Sequence, residues 1–202
     1  MAPTLTLASA SPARLALLRS AGIEPVVVVS AVDEDEIEAR LGPVEPEELV
    51  VALATAKAEE VAGRVVGAST LVLGCDSVFV FDGAVWGKPS SAAEAVDRIR
   101  SMREREGVLV TGHHLIDVAS GAAGSATAST VVRFGPMTDA EVDAYVATGE
   151  PLAVAGSFTL DGRSAPFIDG VVGDHTNVVG LSMPLLRDLL SRLGRSVIDL
   201  WP

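Results

Sequence analysis

Cysteine is nearly absent from this chain of 202 residues: the single thiol, Cys75, leaves neither a disulfide framework nor a cysteine-built zinc site. Its apolar neighbours make it a small core residue rather than a nucleophile. Positive charge is also scarce. With 15 Lys and Arg against 27 Asp and Glu, the formal charge of −12 excludes a surface that tracks a nucleic-acid polymer. A small anionic substrate stays compatible if cations gather in one place. No apolar run approaches the roughly 20 residues that span a bilayer. No basic leader followed by a long apolar stretch opens the sequence, so a cytoplasmic protein with no membrane partner is expected.

Several motifs are missing as well. In Gly83-Ala84-Val85-Trp86-Gly87-Lys88-Pro89 three residues separate the glycines and proline follows the lysine, which rules out a Walker A loop. No Gly-x-Gly-x-x-Gly opens a helix after a strand, so the dinucleotide-binding marker is lacking. His113, His114 and His175 have no ligand spacing and are expected to be structural or exposed.

What is present is an apolar half, 49% of the residues, sufficient for one good-sized domain or two small lobes. The chain is organised around residues 71–89. An apolar run, Leu71-Val72-Leu73, is expected to deliver Asp76 at a strand end; Asp82-Gly83 is a tight hairpin signal, and the return strand ends in Gly87-Lys88-Pro89. A carboxylate and an ammonium presented by paired strands suit a phosphate ester bound through a metal.

The flanking segments add to this. A first strand over 4–8 runs into Ser9-Ala10-Ser11-Pro12, where Ser11 caps and Pro12 starts a helix that stops at Gly22. Free N–H groups at such a turn favour an anion, and Arg14 adds a fork of donors. Residues 26–29 read as a buried strand followed by an acidic turn, Asp33-Glu34-Asp35-Glu36; carboxylates at neighbouring strand ends can share one Mg²⁺. A long helix over about 45–62 carries Lys57 among alanines. Beyond the central hairpin come an amphipathic helix opened by Ser90-Ser91, a strand pair over 108–118 and 126–134, a helix with a capping box at Thr138-Asp139-Ala140-Glu141, a helix opened by Pro184, and a final strand over 197–201. Strands and helices alternate without an internal repeat. An α/β fold with a mixed sheet and two lobes around a central cleft is expected.

Taken together, Leu7-Ala8-Ser9-Ala10-Ser11-Pro12-Ala13-Arg14, Val32-Asp33-Glu34, Ala56-Lys57-Ala58, Cys75-Asp76-Ser77, Gly87-Lys88-Pro89, Thr111-Gly112, Ala155-Gly156-Ser157-Phe158 and Asn177-Val178-Val179-Gly180-Leu181 resemble the Maf-like nucleotide pyrophosphatases. The match runs in order along nearly the whole chain. The resemblance implies one Maf-like domain over 1–202 with the inosine-triphosphatase-like fold, a divalent cation (Mg²⁺ or Mn²⁺), and hydrolysis of a nucleoside triphosphate to the monophosphate and pyrophosphate. It makes Ser9, Arg14, Lys57 and Lys88 substrate-binding, Asp76 the catalytic proton acceptor, and Glu34 with Asp76 the metal site. A homodimer is compatible with it. A nucleotide-binding regulator of septum formation with vestigial hydrolysis is the alternative, and a phosphomonoesterase a third reading; the intact Asp76, Lys57 and Lys88 favour the hydrolase.

Three positions depart from the resemblance. Where the dTTP/UTP branch has arginine, threonine and glutamine, and the 7-methyl-GTP branch tryptophan, glutamine and glutamate, this chain has Ala13, Ser77 and Asp161. These are the expected specificity positions, and they match neither set.

Overall fold

A computed structural model describes residues 3–65 and 70–202. The chain divides into two compact units: Met1–Asp76, Thr111–Ala128 and Gly180–Pro202 form the first, and Ser77–Val110 with Ser129–Val179 the second. The fold is α/β with a mixed sheet of seven strands.

In the first unit, β1 (Thr4–Leu7) pairs in parallel with β2 (Val26–Val27) on one side and with the start of β3 (Thr70–Phe81) on the other, Leu7 lying opposite Leu73. Alternation along β3 decides the packing. Leu71, Leu73 and Cys75 join an apolar cluster with Leu5, Leu7 and Leu18, the last from α1 (Pro12–Ser20). Leu186, Leu189 and Leu190 of α7 (Met183–Arg192) belong to the same cluster. Val72, one residue out of phase, packs instead with Ala58 and Val61 of α3 (Pro46–Ala62). A strand covered on both faces needs apolar residues in succession, which is why this stretch does not alternate with polar ones. The small residues of α3 let it lie very close to the sheet. A Cβ on Gly74 would stand 2.1 Å from the Ala54 carbonyl oxygen, and one on Gly112 2.2 Å from that of Val50, so only glycine fits beneath the helix. Gly74 and Asp76 share a strand face, and Lys57 shares a helix face with Ala54 and Ala58; this close approach therefore fixes where Lys57 and Asp76 meet.

In the second unit the hairpin forms as its sequence requires. Asp82 and Gly83 have φ of 50° and 77°, the positive values of a type I′ turn, and β4 (Ala84–Trp86) returns antiparallel to β3 with Trp86 opposite Phe79. Phe79, Phe81, Phe134 and Phe158 pack with α4 (Ala92–Met102) and α5 (Asp139–Ala147). Ring centroids lie 5.0 Å apart for both Phe79–Phe158 and Phe134–Phe158, in edge-to-face arrangement. The strands β5 (Glu106–Asp117) and β6 (Ala123–Phe134) continue the sheet, and β7 (Ile168–Val172) pairs antiparallel with β6.

Four expectations need correction. The strand over 26–29 is only two residues long, and Val26 and Val27 are exposed because β2 is a sheet edge. The acidic turn is the first turn of a helix, α2 (Glu34–Leu41), capped by the Asp33 side chain and favoured by the positive end of the helix dipole. Asp76 lies inside β3, not at its end, since no residue between Thr70 and Phe81 interrupts the strand. The final strand is a 3-10 turn, Val197–Leu200, closed by a capping box between Ser196 and Asp199 that competes with extension. β7 and the short helix α6 (His175–Val179) were not foreseen.

Candidate active site

Five of the predicted residues meet in the first unit. On the turn between β1 and α1, Ser9 is buried, and its hydroxyl accepts from the Ser11 N–H at 3.2 Å and from Arg14 Nη1 at 3.0 Å. Arg14 Nη1 also donates to the Cys75 carbonyl at 2.9 Å, and its Nε to the Gly180 carbonyl at 2.7 Å. The guanidinium is thereby tied to the residue preceding Asp76.

Lys57 is the second anchor. Its Nζ donates to Asp76 Oδ1 at 2.6 Å and pairs with Glu34 Oε1 at 2.8 Å; the side chains of Lys57 and Asp76 are 11% and 12% exposed, that of Glu34 51%. A lone lysine on a helix is ordinarily a surface group, and here it is buried because α3 is clamped onto Gly74. Burial pushes the Asp76 carboxyl above its ordinary value, while the Lys57 ammonium and the Arg14 guanidinium pull the other way. Asp117, another buried carboxylate of this unit, moves in the opposite direction: its hydrogen bonds with Arg195 lower it, and it also caps Ala119 and Ser120. Asp117 is a satisfied structural acid. Asp76 is held more basic than an ordinary aspartate, which suits a proton acceptor.

Glu38 escaped the sequence reading. It lies one helical turn beyond Glu34, and its carboxyl is raised by partial burial and by the charges of Asp76, Asp35 and Glu34. The i, i+4 spacing of Glu34 and Glu38 was the signal available. The Gly180 carbonyl, acting through its backbone, left no side-chain signal at all.

Ala13, partly buried, precedes Arg14 on α1. The remaining predicted residues belong to the second unit. Lys88 is exposed just after β4, on a backbone fixed by its neighbour: the Gly87 carbonyl accepts from Arg98 Nη1 at 2.7 Å and from the Gly156 N–H at 3.3 Å. Ser77 is half-buried on β3. Asp161 is exposed on a tight loop, in which Ser164 Oγ accepts from the Thr159 N–H at 2.7 Å while Glu150 Oε1 accepts from Thr159 Oγ1 and the Arg163 N–H.

The histidines are structural where they are buried. His113 Nε2 accepts from the Ser182 N–H at 2.9 Å, and His114 Nδ1 meets Ser125 Oγ at 2.6 Å. Cys75 is fully buried, and desolvation pushes its thiol up to about 11, as a core residue should behave.

Among the described residues no group of three or more His, Cys, Asp or Glu side chains is arranged to hold a metal ion. Glu34 and Asp76 nevertheless fit one: two carboxylate oxygens already converge on a single positive charge, the Lys57 ammonium, and oxygen donors are what Mg²⁺ and Mn²⁺ take.

Comparison with known proteins adds independent findings. The family model described as Maf-like protein matches residues 4–193. A nucleoside triphosphate pyrophosphatase of Streptomyces coelicolor is 59% identical over 98% of this chain and 94% of its own length. Proteins of the same name from Streptomyces avermitilis and from Mycobacterium sp. (strain JLS) are 57% and 50% identical, the latter over 100% of this chain and 99% of its own.

Proposed function

This chain belongs to the Maf-like protein family, and from that premise we propose that it hydrolyses a nucleoside triphosphate to the monophosphate and pyrophosphate. Residues 1–202 act as one Maf-like domain in the cytoplasm, where such substrates are held. The observation that carries the reading is the Glu34–Lys57–Asp76 cluster, with Lys57 and Asp76 buried, beside the Ser9–Arg14 pair: a carboxylate of raised basicity next to cations, in a chain of net charge −12.

Asp76 accepts a proton from water as the water oxygen attacks the α-phosphorus. The bond from the α-phosphorus to the bridging oxygen breaks, and pyrophosphate leaves with the electron pair. Arg14, Lys57 and Lys88 bind the phosphate oxygens and neutralise the charge that gathers on the leaving group, with Ser9 and its turn orienting the chain of phosphates. A divalent cation held by Glu34 and Asp76 supplies additional charge neutralisation when bound. Recruiting water directly requires no covalent intermediate.

The test is product identity. With a nucleoside triphosphate as substrate, inorganic phosphate should appear in a malachite-green assay only after inorganic pyrophosphatase is added. Phosphate released without the auxiliary enzyme would identify a phosphomonoesterase, and no release with or without it would identify a binding protein.

A further inference from the structure

The segment Asn177-Val178-Val179-Gly180-Leu181 has no place in the chemistry so far, yet its Gly180 carbonyl accepts from Arg14 Nε at 2.7 Å. We propose that Gly180 is a positioning residue for Arg14, holding the guanidinium in the plane that the triphosphate requires. This rests on the reading of Arg14 as a phosphate donor.

Three acceptors that hold Arg14 Nε and Nη1 are neutral: the carbonyls of Gly180 and Cys75 at 2.7 and 2.9 Å, and Ser9 Oγ at 3.0 Å. Neutral acceptors fix the orientation of a guanidinium without cancelling its charge, whereas a carboxylate in the same place would consume the attraction meant for an anion. The Gly180 carbonyl is aimed by two features. Gly180 has φ of +112°, a conformation that side chains rarely adopt, and a Cβ there would stand 3.3 Å from Arg14 Nε. Two residues further on, the Ser182 N–H is pinned to Nε2 of His113, which is fully buried in β5. As an acceptor, Nε2 is unprotonated, so the neutral ring carries its proton on Nδ1. His113, Ser182 and Gly180 thus form a backbone latch on Arg14, and the peptide at 180 must be glycine for it to close.

Substitution Gly180→Ala should raise KM for the nucleoside triphosphate about tenfold and leave kcat within about threefold, since the lost contact orients a binding group. The decisive readout is coupling. Arg14→Ala alone should raise KM by roughly 10–100-fold, and Gly180→Ala added to it should cost nothing further, because the latch then has nothing to hold. Multiplying effects would overturn the inference by showing that Gly180 acts through the fold at large. If Arg14→Ala leaves KM unchanged, the reading of Arg14 fails; if it raises KM and Gly180→Ala does not, only the inference fails. A measurement on the unaltered protein guards against a variant that does not fold. The Arg14 Nε–H, followed by ¹⁵N NMR without nucleotide, should exchange with solvent at least about tenfold more slowly than that of the exposed Arg187; equal rates would overturn the proposal.

Discussion

The two units bury different things. Among the described residues, every buried carboxylate, lysine and histidine lies in the first unit: Lys57, Asp76, His113, His114 and Asp117. The buried polar groups of the second are neutral: Thr130, Ser157, Ser164 and Asn177. Its charges pair at the surface instead, as Arg133 and Glu106 do at 3.2 Å with side chains 60% and 61% exposed, and its interior packs aromatic rings among aliphatic side chains. Burying an ion costs several kcal/mol before any partner is found (about that much per charge after relaxation), so a fold retains buried ions where something other than stability repays them. The first unit carries that cost at Lys57 and Asp76, and the second shows how the same chain packs when it does not.

The largest effect should come from removing the base. Asp76→Asn keeps the shape and cannot accept a proton, and turnover should fall by roughly 10²–10⁴-fold. Its effect on stability is a balance of two opposing terms, because the amide also takes from the buried Lys57 ammonium one of its two carboxylate partners. Because the folded carboxyl is raised above its unfolded value, the protonated form is the one that favours the fold; its contribution is complete below the unfolded pKa and is lost as pH rises through the folded one. At neutral pH a neutral amide removes the desolvation cost of ionised Asp76, and the Lys57 ammonium it leaves behind offsets that gain, so the melting temperature should fall less than in a variant that removes Lys57. Turnover with each nucleotide and a thermal melt read both halves. A variant that turns over within a few-fold of wild type would end the assignment of Asp76.

A paired experiment sets the two units against each other. Lys57→Met strips both carboxylates of their shared cation, and breaking a buried pair costs about 3–5 kcal/mol. Phe158→Ala, in the aromatic cluster of the second unit, should cost a similar amount, about 3–5 kcal/mol, by leaving a cavity. Only the first should also move the chemistry. Asp76 loses the ammonium that pulls its pKa down, so the acidic limb of kcat/KM, where activity disappears as the base protonates, should shift to higher pH. Folded Phe158→Ala protein should keep the wild-type limb. A shifted limb in Phe158→Ala, or none in Lys57→Met, would show that the division between charge and packing is not functional.

The same contrast explains what the sequence made legible. Local signals were reliable where a side chain answers to its own backbone: Ser11, Ser91 and Thr138 cap their helices, and Asp82-Gly83 makes its turn. The strand over 26–29 failed because an edge is defined by the absence of a neighbour, which no local pattern encodes. The acidic run failed because a helix start and a polar turn share a composition. For the site, residue types at Ser9, Arg14, Glu34, Lys57 and Asp76 were readable, but the burial of Lys57 depends on Gly74 and Ala54 meeting through the fold. Glu38 and the Gly180 carbonyl acquire meaning only once α2 and the segment before α7 have been placed.

The smallest predicted effect concerns the nucleobase. Ala13 offers neither a guanidinium fork nor an indole face, so little discrimination by stacking is expected from the first unit. Asp161, exposed on the loop that Ser164 and Glu150 hold closed, is an acceptor-only carboxylate when ionised. A carboxylate repels the carbonyl edge of uracil or thymine and accepts from N1–H and the amino group of guanine or from the amino group of cytosine. The enzyme should therefore be broad, favouring bases that present amino donors over dTTP and UTP, with Ser77 a secondary influence. A mismatched polar contact costs about 1–3 kcal/mol, so Asp161→Gln combined with Ala13→Arg should shift the kcat/KM ratio toward dTTP and UTP by roughly 10–100-fold. If charge at Asp161 is what counts, Asp161→Asn alone should carry a good part of that shift, since it replaces an acceptor by an amide that also donates. Wild-type enzyme already selective for dTTP or UTP would mean that Asp161 does not read the base.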